Sequence, residues 1–236
     1  MFESRKSPLF PLLVAAVAAI ALVVVLTTQG NEDEDKTSPA ASGADSSESS
    51  AGPLSGLARR DADDPVALGE VDAPVVMVAY SEYQCPYCGK FARDTEPKLI
   101  EKYVEDGTLR IEWRDFPYLG PESTTAALAG RAAAAQDKFW EFHEAMFADQ
   151  LPPNSGNLNE EYVASVADDA GLDVDQFRED MSSDAVQKLV DADFNEGQSL
   201  GVNGTPSFVI NGTPVVGAQP LEHFEQVIDE AAEAAP

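Results

Sequence analysis

Apolar and polar positions change their spacing several times along this chain, and each change predicts an element. Residues 9–26 form an uninterrupted apolar run of 18 residues with Pro11 near its start. From 27 to 64 large apolar residues almost vanish, and Ser, Ala, Gly, Asp and Glu take over. Such a stretch cannot bury enough surface to offset its ordering entropy, so it reads as a disordered tether. The folded part is expected from Pro65. Residues 74–80 (PVVMVAY) are mostly apolar and rich in β-branched side chains, the pattern of a buried strand. A helical stretch follows from Cys85 to about 104, with Pro97 as an expected kink. Leu109, Ile111 and Trp113 alternate with polar residues and mark a second strand. Residues 122–199 are mainly helical in pattern. Within them Phe139, His143 and Met146 share one stripe that Trp140 and Phe147 extend. Residues 207–210 and 215–216 then flank Asn211-Gly212, a strong hairpin signal. A final helix places Leu221, Phe224, Val227, Ile228 and Ala231 on one face. Strand, helix, strand, helical block, hairpin, helix is an α/β order with a helical insertion at about 120–200.

The N-terminal run is about 27 Å long as a helix, enough to cross a hydrocarbon core. Arg5 and Lys6 precede it, and Glu32, Asp33, Glu34 and Asp35 follow. That asymmetry places residues 1–8 inside, makes 9–27 a membrane anchor, and puts the rest outside. The alternative is a cleaved signal peptide, against which Thr27-Thr28-Gln29 is a poor small-x-small cleavage site. Either way the domain at 65–236 is exported and sits at the cell membrane as a single-pass protein or beyond it. About 38 flexible residues would give the tether a reach on the order of 35 Å.

Charge narrows the choice of partners. The chain carries a formal net charge of −27, with 32 acidic and 10 basic residues from Pro65 onward. Without clustered Lys and Arg no nucleic-acid backbone is expected as a partner. A solvated, salt-adapted surface is the simplest reading of the acidity.

The chain has two cysteines, Cys85 and Cys88, three apart. A stapled secreted domain would carry more, at wider spacings, and a zinc site needs further ligands. The histidines, His143 and His223, are far along the chain, so neither a metal nor a bound cofactor is expected. Cys85-Pro86-Tyr87-Cys88 follows a strand and opens a helix. Cysteines three apart in a first helical turn bring their sulfurs within disulfide reach. The helix N-terminus offers unpaired N–H groups and partial positive charge that stabilise a thiolate. Pro86 suits the first turn. Cys85 is expected to be the exposed nucleophile and Cys88 the buried partner. A CxxC alone also fits a structural disulfide or half of a metal site, and only the strand–helix context favours redox chemistry.

AYSEYQCPYCGKF, the later GTPSFVING and the final helix resemble a thioredoxin-fold protein. Cys88 and Pro206 stand 118 positions apart, and the stretch between them, with DFPYLG and KFWEFHEAMF inside it, is similar to DsbA-like oxidoreductases of the membrane-anchored Gram-positive and archaeal type. The resemblance covers about 170 residues. It implies that Pro206 is a cis-proline beside the cysteine pair, preceded by Thr205, and that this loop pairs with an extended peptide. It implies disulfide exchange with exported cysteine-containing proteins and reoxidation by a quinone-linked membrane partner. Two alternatives stay open: a reductase or isomerase, and a tethered peptide-binding module without catalysis.

Two departures from the family pattern temper that expectation. The relatives' acidic residue six positions before the first cysteine is Ala79 here, and Glu82 is the nearest acid. The dipeptide between the cysteines brings no histidine. Both point to a milder oxidant than the strongest relatives. Glu82 and Asp115 are expected to be solvated charges that could relay protons, and Tyr83 and Tyr87 could form an apolar lip. His143 is expected to be a hydrogen-bonded packing residue and His223 exposed; Trp113, Trp140 and Phe147 are expected in the core.

Overall fold

The computed structural model describes residues 54 and 56–235. The expected anchor and most of the tether lie outside these residues. Among the described residues no helix is long and apolar enough to cross a membrane.

Five strands form one sheet in the order β1-β3-β2-β4-β5. They are β1 (Ala67–Leu68), β2 (Val75–Ser81), β3 (Leu109–Asp115), β4 (Ser207–Ile210) and β5 (Thr213–Val216). β2 and β3 run parallel, with Val75 opposite Leu109 and Ser81 opposite Asp115. β4 runs antiparallel to β2, and the Asn211-Gly212 turn returns the chain as β5. Asn211 is left-handed (φ 43°), and its side chain accepts from Val76 N at 2.9 Å, tying the hairpin to β2. β1 escaped the sequence reading because two residues carry no measurable period.

Central β2 is buried on both faces, so its sequence is apolar throughout rather than alternating. Val75, Met77 and Ala79 meet Phe91, Phe208, Phe224 and Ile228 on one side, beneath α1 (Pro86–Asp94) and α8 (Leu221–Ala234). Val76, Val78 and Tyr80 meet Phe116 and Val209 on the other. Pro86 occupies the first turn of α1, where its missing N–H costs nothing. The helix breaks at Thr95 and restarts as α2 (Glu96–Leu99), with Pro97 in its first turn, before widening into a π turn (Ile100–Val104). The expected kink is therefore a restart.

The insertion between β3 and β4 is α3 (Pro121–Ala134), α4 (Phe139–Ala148), α5 (Glu160–Asp169), α6 (Val174–Met181) and α7 (Asp184–Ser199). Asn159, Asp173 and Ser183 accept backbone N–H groups at the starts of α5, α6 and α7. Phe139, Phe142, Met146 and Phe147 of α4 form its core with Val163 and Phe177, and that core is continuous with the two cysteines.

Two expectations change here. Arg110, Glu112 and Arg114, the polar half of the alternation in β3, are all buried. They face α7 and the chain before Pro65 rather than water. Glu112 accepts from Arg59 N at 3.0 Å, Arg60 N at 2.9 Å and Arg114 Nη2 at 2.8 Å. Arg59 reaches Asp193 of α7 at 2.7 Å, and Leu57 and Ala58 pack against the sheet. The tether expected to run through Asp64 thus gives way to attached chain by Leu57, because buried carboxylates supply partners that its polar composition does not advertise.

Candidate functional site

β2 ends at Ser81, and the turn Glu82-Tyr83-Gln84 delivers Cys85 to the N-cap of α1. Cys85 and Cys88 are free thiols. Cys85 Sγ lies 3.2 Å from the carbonyl oxygen of Thr205, and the Thr205-Pro206 peptide is cis. The cysteine pair and the proline loop, 118 residues apart in sequence, therefore meet at one sulfur. Gln150, just beyond α4, clamps the approach to α1 by donating to Tyr83 O at 2.8 Å and Cys85 O at 2.9 Å. The clamp needs Gly89: a Cβ there would sit 2.1 Å from Gln150 Oε1.

The two thiols are electrostatically unlike. Cys85 falls from 9.0 to about 6, first because the Cys88 side chain hydrogen-bonds its sulfur. Burial opposes this, while Thr205 and the backbone N–H groups of Tyr87 and Cys88 assist it. Thr205 Oγ1 is buried without a partner, placed to donate once the thiol proton is gone. Cys88 is pushed well up by burial and by its neighbour's charge.

A second titratable group lies beside them. Glu82 is 2% exposed. Its Oε2 accepts from Ser123 of α3, whose hydroxyl accepts from Gln84 Nε2 at 2.7 Å. Oε1 has no partner, and among the described residues no cation pairs with this carboxylate. Burial, the largest cause, lifts its pKa from 4.5 to about 7; Ser123 pulls the other way and the Cys85 charge adds to the rise.

Comparison with known proteins now places the chain. A thioredoxin family model, Thioredoxin_4, matches residues 61–230. A probable disulfide bond formation protein D from Bacillus cereus is 32% identical over 150 residues, covering 62% of this chain and 69% of that protein. The chain belongs to the DsbA-like thioredoxin family. A thioredoxin-like oxidoreductase from Silicibacter pomeroyi is 34% identical, with a TM-score of 0.64 over 74% of this chain and 95% of that one. Oxidised BdbD from Bacillus subtilis shares the fold at a TM-score of 0.68, with 23% identity over 73% of this chain and 94% of its own. This DsbA-like protein is a protein thiol–disulfide oxidoreductase.

Most residues singled out in the sequence converge on the site, but several expectations about exposure fail. Cys85 is only 3% exposed, against 1% for Cys88; Thr205 closes over it, so the asymmetry lies in charge rather than in accessible area. Glu82 and Asp115 are buried rather than solvated. Asp115 is held by Arg131 Nε at 2.5 Å and by Trp113 Nε1 at 2.8 Å, and Arg131 also pairs with Asp193. It is a structural ion in this DsbA-like fold, with burial still raising its pKa. Tyr83 forms no lip: it stacks on Trp113 with centroids 5.4 Å apart beneath the cysteine turn. Tyr87 is 66% exposed, as a contact residue needs. His143 is buried and bonded to Glu96 at 2.8 Å, and His223 is exposed. Gln84, Ser123 and Gln150 carry no local signal, because their importance comes from contacts 39 to 67 positions away.

Proposed function

We propose that this oxidoreductase works as an extracytoplasmic disulfide donor, with Cys85 as its reactive sulfur and Cys88 as its partner. The observation that carries the reading is the Cys85 thiol, lowered to about 6 at the start of α1 and touching the Thr205-Pro206 loop. In the oxidised protein a substrate thiolate attacks Cys85 Sγ. The Cys85–Cys88 bond breaks, and Cys88, whose pKa is high, leaves and takes up a proton. A second substrate thiolate then attacks the substrate sulfur of the mixed disulfide and expels Cys85 as a thiolate. Two substrate thiols become one disulfide; one proton ends on Cys88 and one in solvent. Cys85 departs well because its negative charge is already stabilised.

Backbone groups of Thr205 and Pro206 hold the incoming peptide as a short added strand, with Tyr87 at its rim. Exported proteins bearing paired cysteines are the substrates. Residues 9–27 hold the domain at the membrane, where a quinone-linked partner reoxidises the pair. The disulfide bond formation proteins among its relatives support this direction. So does the energetics. Stabilising the Cys85 thiolate stabilises the reduced pair and raises the potential, by roughly 30 mV for each pK unit, above thioredoxin's roughly −270 mV. That stands above the roughly −300 mV of structural disulfides, so transfer to substrates is downhill.

The test is Cys88→Ala in the full chain, expressed in its host. Covalent mixed disulfides through Cys85 that reducing agent releases are expected. A non-catalytic peptide-binding module would retain its partners without such bonds. In the unsubstituted chain a reductase would be found with its Cys85–Cys88 pair reduced in the cell, whereas the disulfide form is expected at steady state.

A further inference from the structure

Asn-Gly-Thr-Pro occurs twice in the chain, at 203–206 and at 211–214. Asparagine is a labile residue, and a following glycine makes it more so. With no side chain to shield it, the glycine nitrogen can approach the asparagine Cγ closely. The two copies share the same local sequence and hence the same intrinsic reactivity, so any difference between them comes from the fold.

Both asparagines are exposed, and solvent access does not separate them. Hydrogen bonding does. Asn211 is fixed to the β2 segment at three atoms: Oδ1 accepts from Val76 N at 2.9 Å, Nδ2 donates to Pro74 O at 2.9 Å, and the backbone N–H donates to Val76 O at 3.1 Å. Turning its Cγ toward Gly212 N breaks both side-chain bonds. Asn203 lies between α7 and β4, outside any helix or strand. Among the described residues no hydrogen bond holds its amide or the N–H of Gly204. The glycines differ too. Gly212 is left-handed (φ 90°), as its turn requires; Gly204 is not, and a Cβ there would meet nothing within 4 Å. Neither backbone conformation nor packing calls for glycine at 204. The reactive centre is close by: Thr205, two residues beyond Asn203, presents its carbonyl to Cys85 Sγ at 3.2 Å.

We propose that Asn203 is a site of spontaneous deamidation, and that the isoaspartate formed there slows disulfide exchange at Cys85. Gly204 N gives its proton to solvent and bonds to Asn203 Cγ. The Cγ–Nδ2 bond breaks, and ammonia leaves. Water then opens the succinimide: cleavage at Cγ gives aspartate, and cleavage at the main-chain carbonyl gives isoaspartate. One water is consumed and one ammonia released, with no change of oxidation state. Isoaspartate lengthens the main chain by one methylene, about 1.5 Å. It also adds a carboxylate two residues before Thr205. The Thr205 carbonyl is displaced from Cys85 Sγ, and the new charge opposes the thiolate.

Ageing the full chain in its disulfide form at mildly alkaline pH tests this by mass spectrometry. Cleavage after Phe208 puts the two asparagines on separate peptides. The Asn203 peptide is expected to gain one mass unit at least about tenfold faster than the Asn211 peptide. In denaturing urea the two should keep pace. The isoaspartate form, separated by ion exchange, is expected to exchange disulfides at least about tenfold more slowly than fresh protein. Gly204→Ala and Asn203→Gln should match the parent when fresh and hold that rate through ageing. Equal deamidation of the two asparagines in the folded chain overturns the proposal, as does a gap that persists in urea. So does an isoaspartate form as active as fresh protein, or a loss on ageing in both variants that equals the parent's.

Discussion

Replacing Glu82 by Gln isolates one charge beside the reacting sulfur. The native carboxyl stands at about 7 rather than 4.5, about 3 kcal/mol against ionisation. Burial is the largest contribution, and repulsion from the Cys85 thiolate a lesser one. Assigning that repulsion a third of the total gives about 1 kcal/mol, or roughly 20 mV for a two-electron couple. Repulsion is mutual, so an ionised Glu82 disfavours the reduced protein, and Gln should make the pair more oxidising by roughly 20 mV at about pH 8.5. Near pH 5 the carboxyl is already neutral, and the difference should vanish. Fold stability obeys the same linkage. A carboxyl whose folded pKa is raised binds an extra proton in the folded state between 4.5 and about 7. Native stability therefore falls as pH rises through that window, and the Gln variant does not share the loss. Above about pH 7 the oxidised variant, which lacks the Cys85 thiolate and its share of the repulsion, should be up to about 2 kcal/mol more stable than the parent, and below about pH 4.5 equal to it. Glutathione equilibration and urea unfolding at the two pH values read these quantities. An equal shift in potential at both would refute the reasoning, since a structural effect has no reason to follow the charge.

The remaining expectations probe the scaffold. Starting the chain at Pro65 removes Arg59 and Arg60 and leaves Glu112, fully buried, without two of its donors. A loss of about 3–5 kcal/mol relative to a chain from Leu54 should appear in denaturant unfolding; equal stabilities would show the N-terminal segment to be dispensable. Gly197→Ala should destabilise α7 by about 1–3 kcal/mol in the same assay despite alanine's better helix propensity, because its Cβ would meet the Phe116 ring at 2.8 Å. Added sodium chloride should raise the melting temperature, because the formal charge of −27 repels itself and salt screens it. A flat or falling melting temperature would show that ion pairs outweigh the net charge.

The chain's own spacing carried the architecture further than the chemistry of the site. Apolar 74–80, the Asn211-Gly212 turn and the stripe on α4 each have a local period or turn signal, and each became an element at nearly the expected residues. Cys85 and Cys88 are three apart in sequence, so their meeting at the start of α1 needed no tertiary knowledge. Thr205 and Pro206 came from family resemblance, because nothing local links a Thr-Pro to a sulfur 120 positions away. Exposure was the weak point. Glu82, Asp115, Arg110, Glu112 and Arg114 are charged, and charge in isolation predicts solvent. Their burial depends on partners from α3, α7 and the N-terminal segment that no window of sequence contains. For the same reason the ordered domain was expected to begin too late. Arg59 and Arg60 sit in a polar stretch whose order comes from Glu112 and Asp193.

The measurement that bears most directly on the central claim is the reduction potential of the Cys85–Cys88 couple at neutral pH, with the protein from Leu54 equilibrated against glutathione. A thiolate stabilised as the structure has it, with Cys85 at about 6, should place the couple above thioredoxin's roughly −270 mV and below the roughly −120 mV of the strongest oxidants of the family. A value at or below roughly −270 mV would mean that the charge on Cys85 gains nothing from its setting at the start of α1, and would contradict the thiolate stabilisation on which the disulfide-donor reading rests.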